Sequence, residues 1–152
     1  VSAWDVLAGA VEVGQRVVVV GGGDVGCETA EYLAVRGHQV TILEMLADVA
    51  PELIPWARRL LLERLQDLQV EVLTRARVVA IGEGEVVCDR VGVRHVLPAD
   101  TVVLAVGAKP NRELADALSG LRGVEVHLVG DCAEPRSAAE AIREGFEVAW
   151  QI

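Results

Sequence analysis

The hydrophobic residues of the first half alternate between short apolar runs and stretches of helical spacing. The run RVVVVG, residues 16–21, is β-branched and ends in glycine, as is typical of a buried strand. From Val25 onward the apolar positions recur with the period of a helix until Gly37 interrupts them. In full, strands are predicted over 16–21, 38–44 and 70–73, and helices over 25–36 and 55–68. This βαβαβ order has about the size of one mononucleotide-binding half of a doubly wound sheet.

The second half begins with a different pattern. Residues 78–100 hold short strand-like runs that are interrupted by glycines and lack a helical period, so they predict a small antiparallel meander. Beyond it we predict a strand over 101–107, a short helix over 113–118, a strand over 124–131 and a final helix over 137–152. The whole pattern predicts an α/β fold, a Rossmann-like doubly wound parallel sheet with the small antiparallel meander as a crossover.

Composition and charge exclude several functions. The 152 residues are enough for one packed domain or slightly more, and their net charge of −9 repels the phosphates of nucleic acids. No apolar stretch approaches the ~18 residues that cross a bilayer, and the N-terminus lacks the basic start of a signal peptide. Cys27, Cys88 and Cys132 form no C-x-x-C motif, so we expect buried thiols in a reducing cytoplasm. Neither nucleic acid nor a membrane is expected as a partner.

Three glycines in G-x-G-x-x-G spacing directly follow the first predicted strand. Gly21 permits a tight turn, Gly23 lets a pyrophosphate approach the backbone, and Gly26 allows the next helix to pack closely on the strand. The N–H groups at the start of that helix attract phosphate oxygens. The predicted pyrophosphate site comprises Gly21, Gly22, Gly23, Asp24, Val25 and Gly26.

An acidic residue, Glu44, ends the second predicted strand about twenty residues further on, where dinucleotide-binding folds place the ligand of the adenosine ribose. We predict that Glu44 accepts both ribose hydroxyls and that Met45 lies beside it. A 2′-phosphate about 5 Å from this carboxylate would cost roughly 3 kcal/mol per unit charge. No Lys or Arg between Glu44 and Ile54 offsets that repulsion, so NAD(H) is predicted over NADP(H) unless Arg58 or Arg59 folds back.

Three motifs together resemble those of the pyridine nucleotide–disulfide oxidoreductase superfamily. They are G-x-G-x-x-G-x-E over 21–28, DTVVLAVGAKPN over 100–111, which resembles a strand ending in G-x-x-P-N, and VHLVGDCAEP over 126–135, which resembles a second FAD motif. The ending VGDCAEPRSAAEAIREGF is similar to the C-terminal part of the 2,4-dienoyl-CoA reductase and trimethylamine dehydrogenase group, which are multidomain relatives of Old Yellow Enzyme. The lead SAWDVLAG also fits that group, so the resemblance covers nearly the whole chain.

The resemblance implies roles for residues outside the glycine turn. Glu28 would lie near the nicotinamide, the alternative being an exposed helix residue. Gly107 would let the backbone pass the nucleotide. Asp131, after Gly130, would bind the ribityl side of a flavin, the alternative being a cap of the last helix. The N-terminus of that helix, near Ala138, would point at the flavin ring.

The chain lacks parts that a complete enzyme of this kind contains. It holds no second G-x-G-x-x-G for the flavin pyrophosphate and no cysteine set for an iron–sulfur cluster. It is also shorter than a (β/α)₈ barrel, which takes about 250 residues. We therefore expect the C-terminal part of a larger flavoenzyme, inactive alone, whose intact form passes hydride from NAD(P)H to FAD.

The resemblance also implies how the chain divides. We expect a lead-in over 1–15, an NAD(P)-binding domain with the meander over 16–107, and a segment over 108–152 that is half of a FAD-binding domain. Without its sheet neighbours, that last segment is expected to be mobile or to pack against another copy of the chain.

Two other functions stay open on the sequence. In the first, the domain binds only ADP or AMP as an accessory and transfers no hydride. In the second, it is an interaction module that keeps the fold but has lost the ligand. Nucleotide binding separates all three readings.

Overall fold

The computed structural model describes all 152 residues, which form two units, Val1–Val106 and Gly107–Ile152. The first unit contains the helices α1 (Ala3–Leu7), α2 (Asp24–Val35) and α3 (Pro55–Asp67). Its strands are β1 (Arg16–Val20), β2 (Gln39–Leu43), β3 (Glu71–Leu73), β4 (Ala76–Gly82), β5 (Glu85–Arg90), β6 (Val93–Pro98) and β7 (Thr101–Leu104). The second unit contains α4 (Glu113–Leu118), a 3₁₀ turn (Gly130–Cys132) and α5 (Ala138–Ala149). None of these helices combines the length and the apolar character that a membrane crossing needs.

Four parallel strands form the central sheet of the first unit, in the order β3-β2-β1-β7. β1 lies inside this sheet, with Val19 opposite Ile42 of β2 and Val103 of β7. A separate antiparallel sheet has the order β4-β5-β6 and connects β3 to β7 along the chain. This is the strand order of a mononucleotide-binding half, so the predicted Rossmann-like fold with an antiparallel meander is confirmed.

Different layers cover the two faces of the parallel sheet. Val17 and Val19 of β1 pack with buried residues of the helices, such as Leu33 and Leu65. Val18 faces the opposite way, into a cluster that it shares with residues of the meander. Because both faces are covered, the successive residues Val17, Val18 and Val19 are all buried although they point to opposite faces. This explains the unbroken valine run.

Helix α1 lies where the hydrophobic pattern predicts no element. Ser2 caps this helix, because its Oγ accepts a hydrogen bond from the N–H of Asp5 at 3.1 Å, and Val6 is buried in the core. The first residue extends the sheet, since the N–H of Leu104 donates to the carbonyl of Val1 at 2.9 Å. A helix of 5 residues is too short to show a helical period, so the pattern could not reveal it.

The predicted helices of the second unit are present, but the predicted strand over 124–131 is wrong. Residues 124–129 belong to no strand, and the 3₁₀ turn follows them directly. A strand needs a neighbour to complete its hydrogen-bond ladder, and this unit contains no strand at all. Val124, Val126 and Leu128 still alternate as strand residues do, and they line an open cavity beside α4.

Candidate nucleotide-binding site

Close packing against backbone or side-chain atoms requires three of the glycines between β1 and α2. A Cβ on Gly21, whose φ is +103°, would overlap the carbonyl oxygen of Ala105, and a Cβ on Gly26 would overlap that of Gly21. A Cβ on Gly22 would lie 2.6 Å from Cγ1 of Val49. The fold itself therefore explains why these three positions have no side chain.

Gly23 differs from its neighbours because the protein leaves the space beside it open. Its φ of −69° suits any residue, and a Cβ placed there would have no atom within 4 Å. Gly23 immediately precedes α2, and no side chain caps that helix. The N–H groups of Asp24, Val25 and Gly26 find no acceptor in the chain. Free donors beside an open space are what an anionic ligand requires.

Glu44 joins the end of β2 to the glycine turn. Its side chain is 8% exposed, and Oε2 accepts a hydrogen bond from the N–H of Gly22 at 2.6 Å while Oε1 accepts from Leu46 at 2.7 Å. The N–H of Ala50 also donates to the carbonyl of Gly22 at 2.7 Å. Each carboxylate oxygen keeps a further lone pair, so Glu44 can hold the turn and still accept from a ligand.

A second carboxyl group lies at the start of α2. Oδ1 of Asp24 is buried without a hydrogen-bond partner. Burial raises the pKa of Asp24, and the negative charge of Glu52 raises it further. Because a carboxylate repels phosphate, the useful contribution of Asp24 to a pyrophosphate site is its N–H. Glu28 lies on the same helix with an exposed side chain, and Val25 packs against the core.

Cys27 has the chemistry of a structural thiol. It is fully buried, and its Sγ donates to the carbonyl of Gly22 at 3.4 Å. Burial raises its pKa to about 12, with the charges of Asp24 and Glu44 adding to the effect. A thiol with this pKa stays protonated and does not act as a nucleophile. Cys88 is buried as well, whereas Cys132 is half-buried, so the expected burial is complete for two of the three cysteines.

The two arginines that could oppose the predicted cofactor preference already have partners. Arg58 does reach back to the loop after β2, where its Nε donates to the carbonyl of Val49 at 2.8 Å and its Nη2 pairs with Asp48 at 3.0 Å. Arg59 pairs with Glu63 on its own helix at 2.8 Å. Both guanidiniums are thus paired with carboxylates of the protein itself, at Asp48 and Glu63.

Another arginine lies next to the site although it is far away in the sequence. The turn from β3 to β4 places Arg75 against the segment after β2, because its N–H donates to the carbonyl of Leu46 at 2.8 Å. Met45 and Leu46 are 61% and 56% exposed beside it. The sequence analysis considered only cations in the loop after Glu44 and in the helix that follows it, so it missed Arg75. Knowledge of the strand order would have revealed it.

The remaining predicted site residues belong to the second unit. Gly107 and Gly130 have φ values of +94° and +64°, which favour glycine. The N–H of Gly130 donates to Glu144 at 2.8 Å, and Oδ1 of Asp131 accepts from the N–H of residue 136 at 3.3 Å. The N-cap of α5 is Ser137, so Asp131 is not the cap that the alternative reading proposed. Ala138 is the first residue of α5, and no side chain caps the N–H groups there.

Comparison with known proteins finds one matching family and several similar proteins. The sequence model of the pyridine nucleotide-disulphide oxidoreductase family matches residues 5–126. The chain is 40% identical to an NADH oxidase of Thermoanaerobacter brockii, over 99% of this chain and 24% of that protein. It is 43% identical to a bilirubin reductase of Mediterraneibacter gnavus, over 95% of this chain and 22% of that protein.

A solved structure shows the same fold over the full chain. The structure of a 2-naphthoyl-CoA reductase in complex with 2-naphthoyl-CoA superimposes with a TM-score of 0.90 and 29% identity, over 100% of this chain and 23% of that one. The chain thus spans about a quarter of the length of each of these three proteins.

Proposed function

Because the chain belongs to the pyridine nucleotide-disulphide oxidoreductase family, we propose that its first unit binds NAD(H) at the turn between β1 and α2. The observation that carries this proposal is the open space at Gly23. Three glycines of the turn are required by the protein's own packing, whereas Gly23 is not. A glycine that the fold does not need, beside free N–H groups, is explained by a ligand that approaches the backbone.

The pyrophosphate is held by the backbone at the start of α2. In this arrangement the N–H groups of Asp24, Val25 and Gly26 donate to phosphate oxygens, and the partial positive charge of the helix terminus adds to the attraction. The first unit offers no Lys or Arg within the turn itself, so hydrogen bonds from the backbone provide the recognition. Gly21 and Gly22 give the turn its shape.

Glu44 and Met45 bind the adenosine half. The hydroxyls of the adenosine ribose donate to the lone pairs of Glu44 that Gly22 and Leu46 leave free. Because Glu44 is held in place and almost fully buried, it cannot swing away from a 2′-phosphate. With Arg58 and Arg59 already paired, NAD(H) is bound in preference to NADP(H).

In the intact protein this unit delivers a reductant to a flavin. When both cofactors are bound, the nicotinamide supplies hydride and FAD accepts it. Glu28 lies near the nicotinamide, and Gly107 lets the backbone pass the nucleotide. The uncapped N-terminus of α5 at Ala138 suits a flavin oxygen that accepts hydrogen bonds, and Gly130 and Asp131 belong to the same half-site.

The whole protein is proposed to be a multidomain flavoenzyme of the 2,4-dienoyl-CoA reductase and trimethylamine dehydrogenase group. The relatives that match nearly all of this chain are more than four times as long as it is, which supports further domains. Within the chain, residues 16–107 form the NAD(H)-binding domain behind a lead-in over 1–15. Residues 108–152 form part of a FAD-binding domain, and the remaining domains are the partners of this segment.

The proposed function is tested by calorimetric titration of the 152-residue chain with NADH, NADPH and ADP in parallel. We expect NADH to bind more tightly than NADPH and than ADP. Tighter binding of NADPH would show that Glu44 does not select the cofactor. Equal affinities for ADP and NADH would favour an adenine-nucleotide accessory, and the absence of any binding would contradict the proposal.

A further inference from the structure

Two cations of the first unit have no partner for their side chains. Most arginines there lie within 4 Å of a carboxylate, as in the Arg16–Asp100 pair, or contact a carbonyl or an aromatic ring. Arg75 and Arg77 make no such contact. Both are exposed, and they stand two residues apart at the start of β4. In a chain with a net charge of −9, an unpaired guanidinium beside a ligand site requires an explanation.

The backbone holds Arg75 at the adenosine end of the proposed site. The N–H of Ala76 donates to the carbonyl of Glu44 at 2.8 Å, and the N–H of Arg75 donates to that of Leu46 at 2.8 Å. These two bonds fix the β3–β4 turn against the residues that follow β2. Arg75 has a φ of +54°, a conformation that side chains with a Cβ rarely adopt. Arg77 lies further along β4, away from these contacts.

We propose that Arg75 is a nucleotide-binding residue that packs its guanidinium on the adenine ring of the bound nucleotide. This inference rests on the proposed function, because it needs the adenosine half to lie over the end of β2. A guanidinium is planar and weakly hydrated, so it stacks on aromatic rings. Met45 and Leu46 add exposed apolar surface at the same edge, as an adenine pocket requires.

The adenine ring is a better partner for Arg75 than a 2′-phosphate. Glu44 lies in the same segment, and its carboxylate is fixed by Gly22 and Leu46. A phosphate near the ribose would lie beside that buried negative charge, which repels it. The neutral adenine ring avoids this repulsion and still contacts the guanidinium.

The test compares Arg75→Ala with the matched control Arg77→Ala, which removes the same charge two residues further on, inside β4. Affinities for NADH, NADPH and ADP are measured by calorimetry for both variants and for the wild-type chain. We expect Arg75→Ala to lower the affinities for NADH and for ADP by the same factor, roughly 3- to 30-fold. Arg77→Ala should change neither affinity. Arg75→Lys should not restore the affinity, because an ammonium group keeps the charge but lacks the plane. Melting temperatures, with Arg75→Gly as a variant suited to the positive φ, show whether each protein is folded.

Several results would overturn the proposal. If Arg75→Ala weakens only NADPH, the guanidinium serves a phosphate. If Arg75→Lys binds as tightly as wild type, charge alone is sufficient, and if Arg75→Ala and Arg77→Ala bind alike, Arg75 has no role. Failure of the wild-type chain to bind any of the three nucleotides would overturn the proposed function as well. The wild-type affinities are therefore measured before any variant is made.

Discussion

Oε2 of Glu44 lies 2.6 Å from the amide nitrogen of Gly22, so the acidic residue at the end of β2 fastens the glycine turn that follows β1. The same carboxylate is the proposed ligand of the adenosine ribose. On this proposal, one side chain shapes the turn that would hold the pyrophosphate and would also contact the other half of the cofactor. Glu44 would then couple the stability of the site to the choice of cofactor.

Replacement of Glu44 should reduce the stability of the protein. In Glu44→Gln one amide oxygen remains to accept, while the NH₂ group faces a backbone N–H, leaving a donor unsatisfied in a site that is 8% exposed. We expect the free energy of unfolding to fall by about 1–3 kcal/mol. Chemical denaturation measures this change, with Glu71→Gln, at an exposed glutamate in the first position of β3, as the control. An unchanged stability would mean that the two hydrogen bonds to Glu44 do not hold the turn.

Gly26 should tolerate no side chain, because a Cβ there would overlap the carbonyl oxygen of Gly21. We expect Gly26→Ala to lower the free energy of unfolding by at least about 1–3 kcal/mol, since backbone must move to admit the methyl group. Gly145→Ala is the matched control, because Gly145 is also helical but has open space around it. That control should be neutral or stabilising by up to about 1 kcal/mol. Equal melting temperatures for the two variants would contradict the packing described for the turn.

The ion pair between Arg16 and Asp100 should make stability depend on pH in the acidic range. Hydrogen bonds from the Arg16 side chain and backbone lower the pKa of Asp100 to about 2. A carboxyl whose pKa is depressed by folding stabilises the protein above its unfolded pKa of about 3.9, and this contribution disappears as the pH falls toward the folded value. Asp100→Asn should therefore melt at a lower temperature than wild type at neutral pH, and the difference should narrow below about pH 4.

Thermal melts from neutral pH down to the acid limit of folding measure this difference. Asp89→Asn is the control, because Asp89 in the central strand β5 of the meander pairs with the exposed side chain of Arg94 in β6 at 3.1 Å. If the difference in melting temperature between Asp100→Asn and wild type stays constant with pH, protonation of Asp100 is not its cause.

The apolar face of α5 should make the chain self-associate. Ile142, Phe146 and Trp150 lie one helical turn apart and are 73%, 66% and 82% exposed, and the two aromatic rings stack with centroids 6.0 Å apart. Such a stripe is unusual on a solvated helix. We expect sedimentation to show self-association that increases with protein concentration. The double variant Phe146→Ser/Trp150→Ser should abolish this association. Trp56→Ser, an exposed tryptophan on α3, should leave it unchanged. A wild-type chain that remains monomeric at all concentrations would contradict this expectation.

Local patterns in the sequence were sufficient for most of the fold. The valine run of β1 and the leucine spacing of α3 reflect burial that each segment shows by itself, and the glycines of the meander mark its turns. Helix α1 was missed because it is too short to show a period. The strand predicted over 124–131 was wrong because a strand depends on a neighbour, which no local pattern reports.

The candidate site was predictable in its glycines and in Glu44, because their spacing is local. The hydrogen bond from Gly22 to Glu44 and the approach of Arg75 to Leu46 were not, since each depends on which strands lie side by side. The motif spacing already predicted separate roles for Gly21, Gly23 and Gly26. It gave no reason for Gly22, because the crowding by Val49 appears only in the distances around that position.

The most direct test of the proposed function is to measure NADH affinity and melting temperature for Gly23→Thr. Threonine and glycine are of similar rank at a helix N-cap, and the space beside Gly23 is open, so the variant should melt within a few degrees of wild type. Its affinity for NADH should fall at least about tenfold, because the side chain occupies the space of the pyrophosphate. Gly120→Ala, another glycine with open surroundings, is the control and should bind NADH as wild type does. Unchanged NADH binding by a folded Gly23→Thr protein would contradict the assignment of this turn as the nucleotide site.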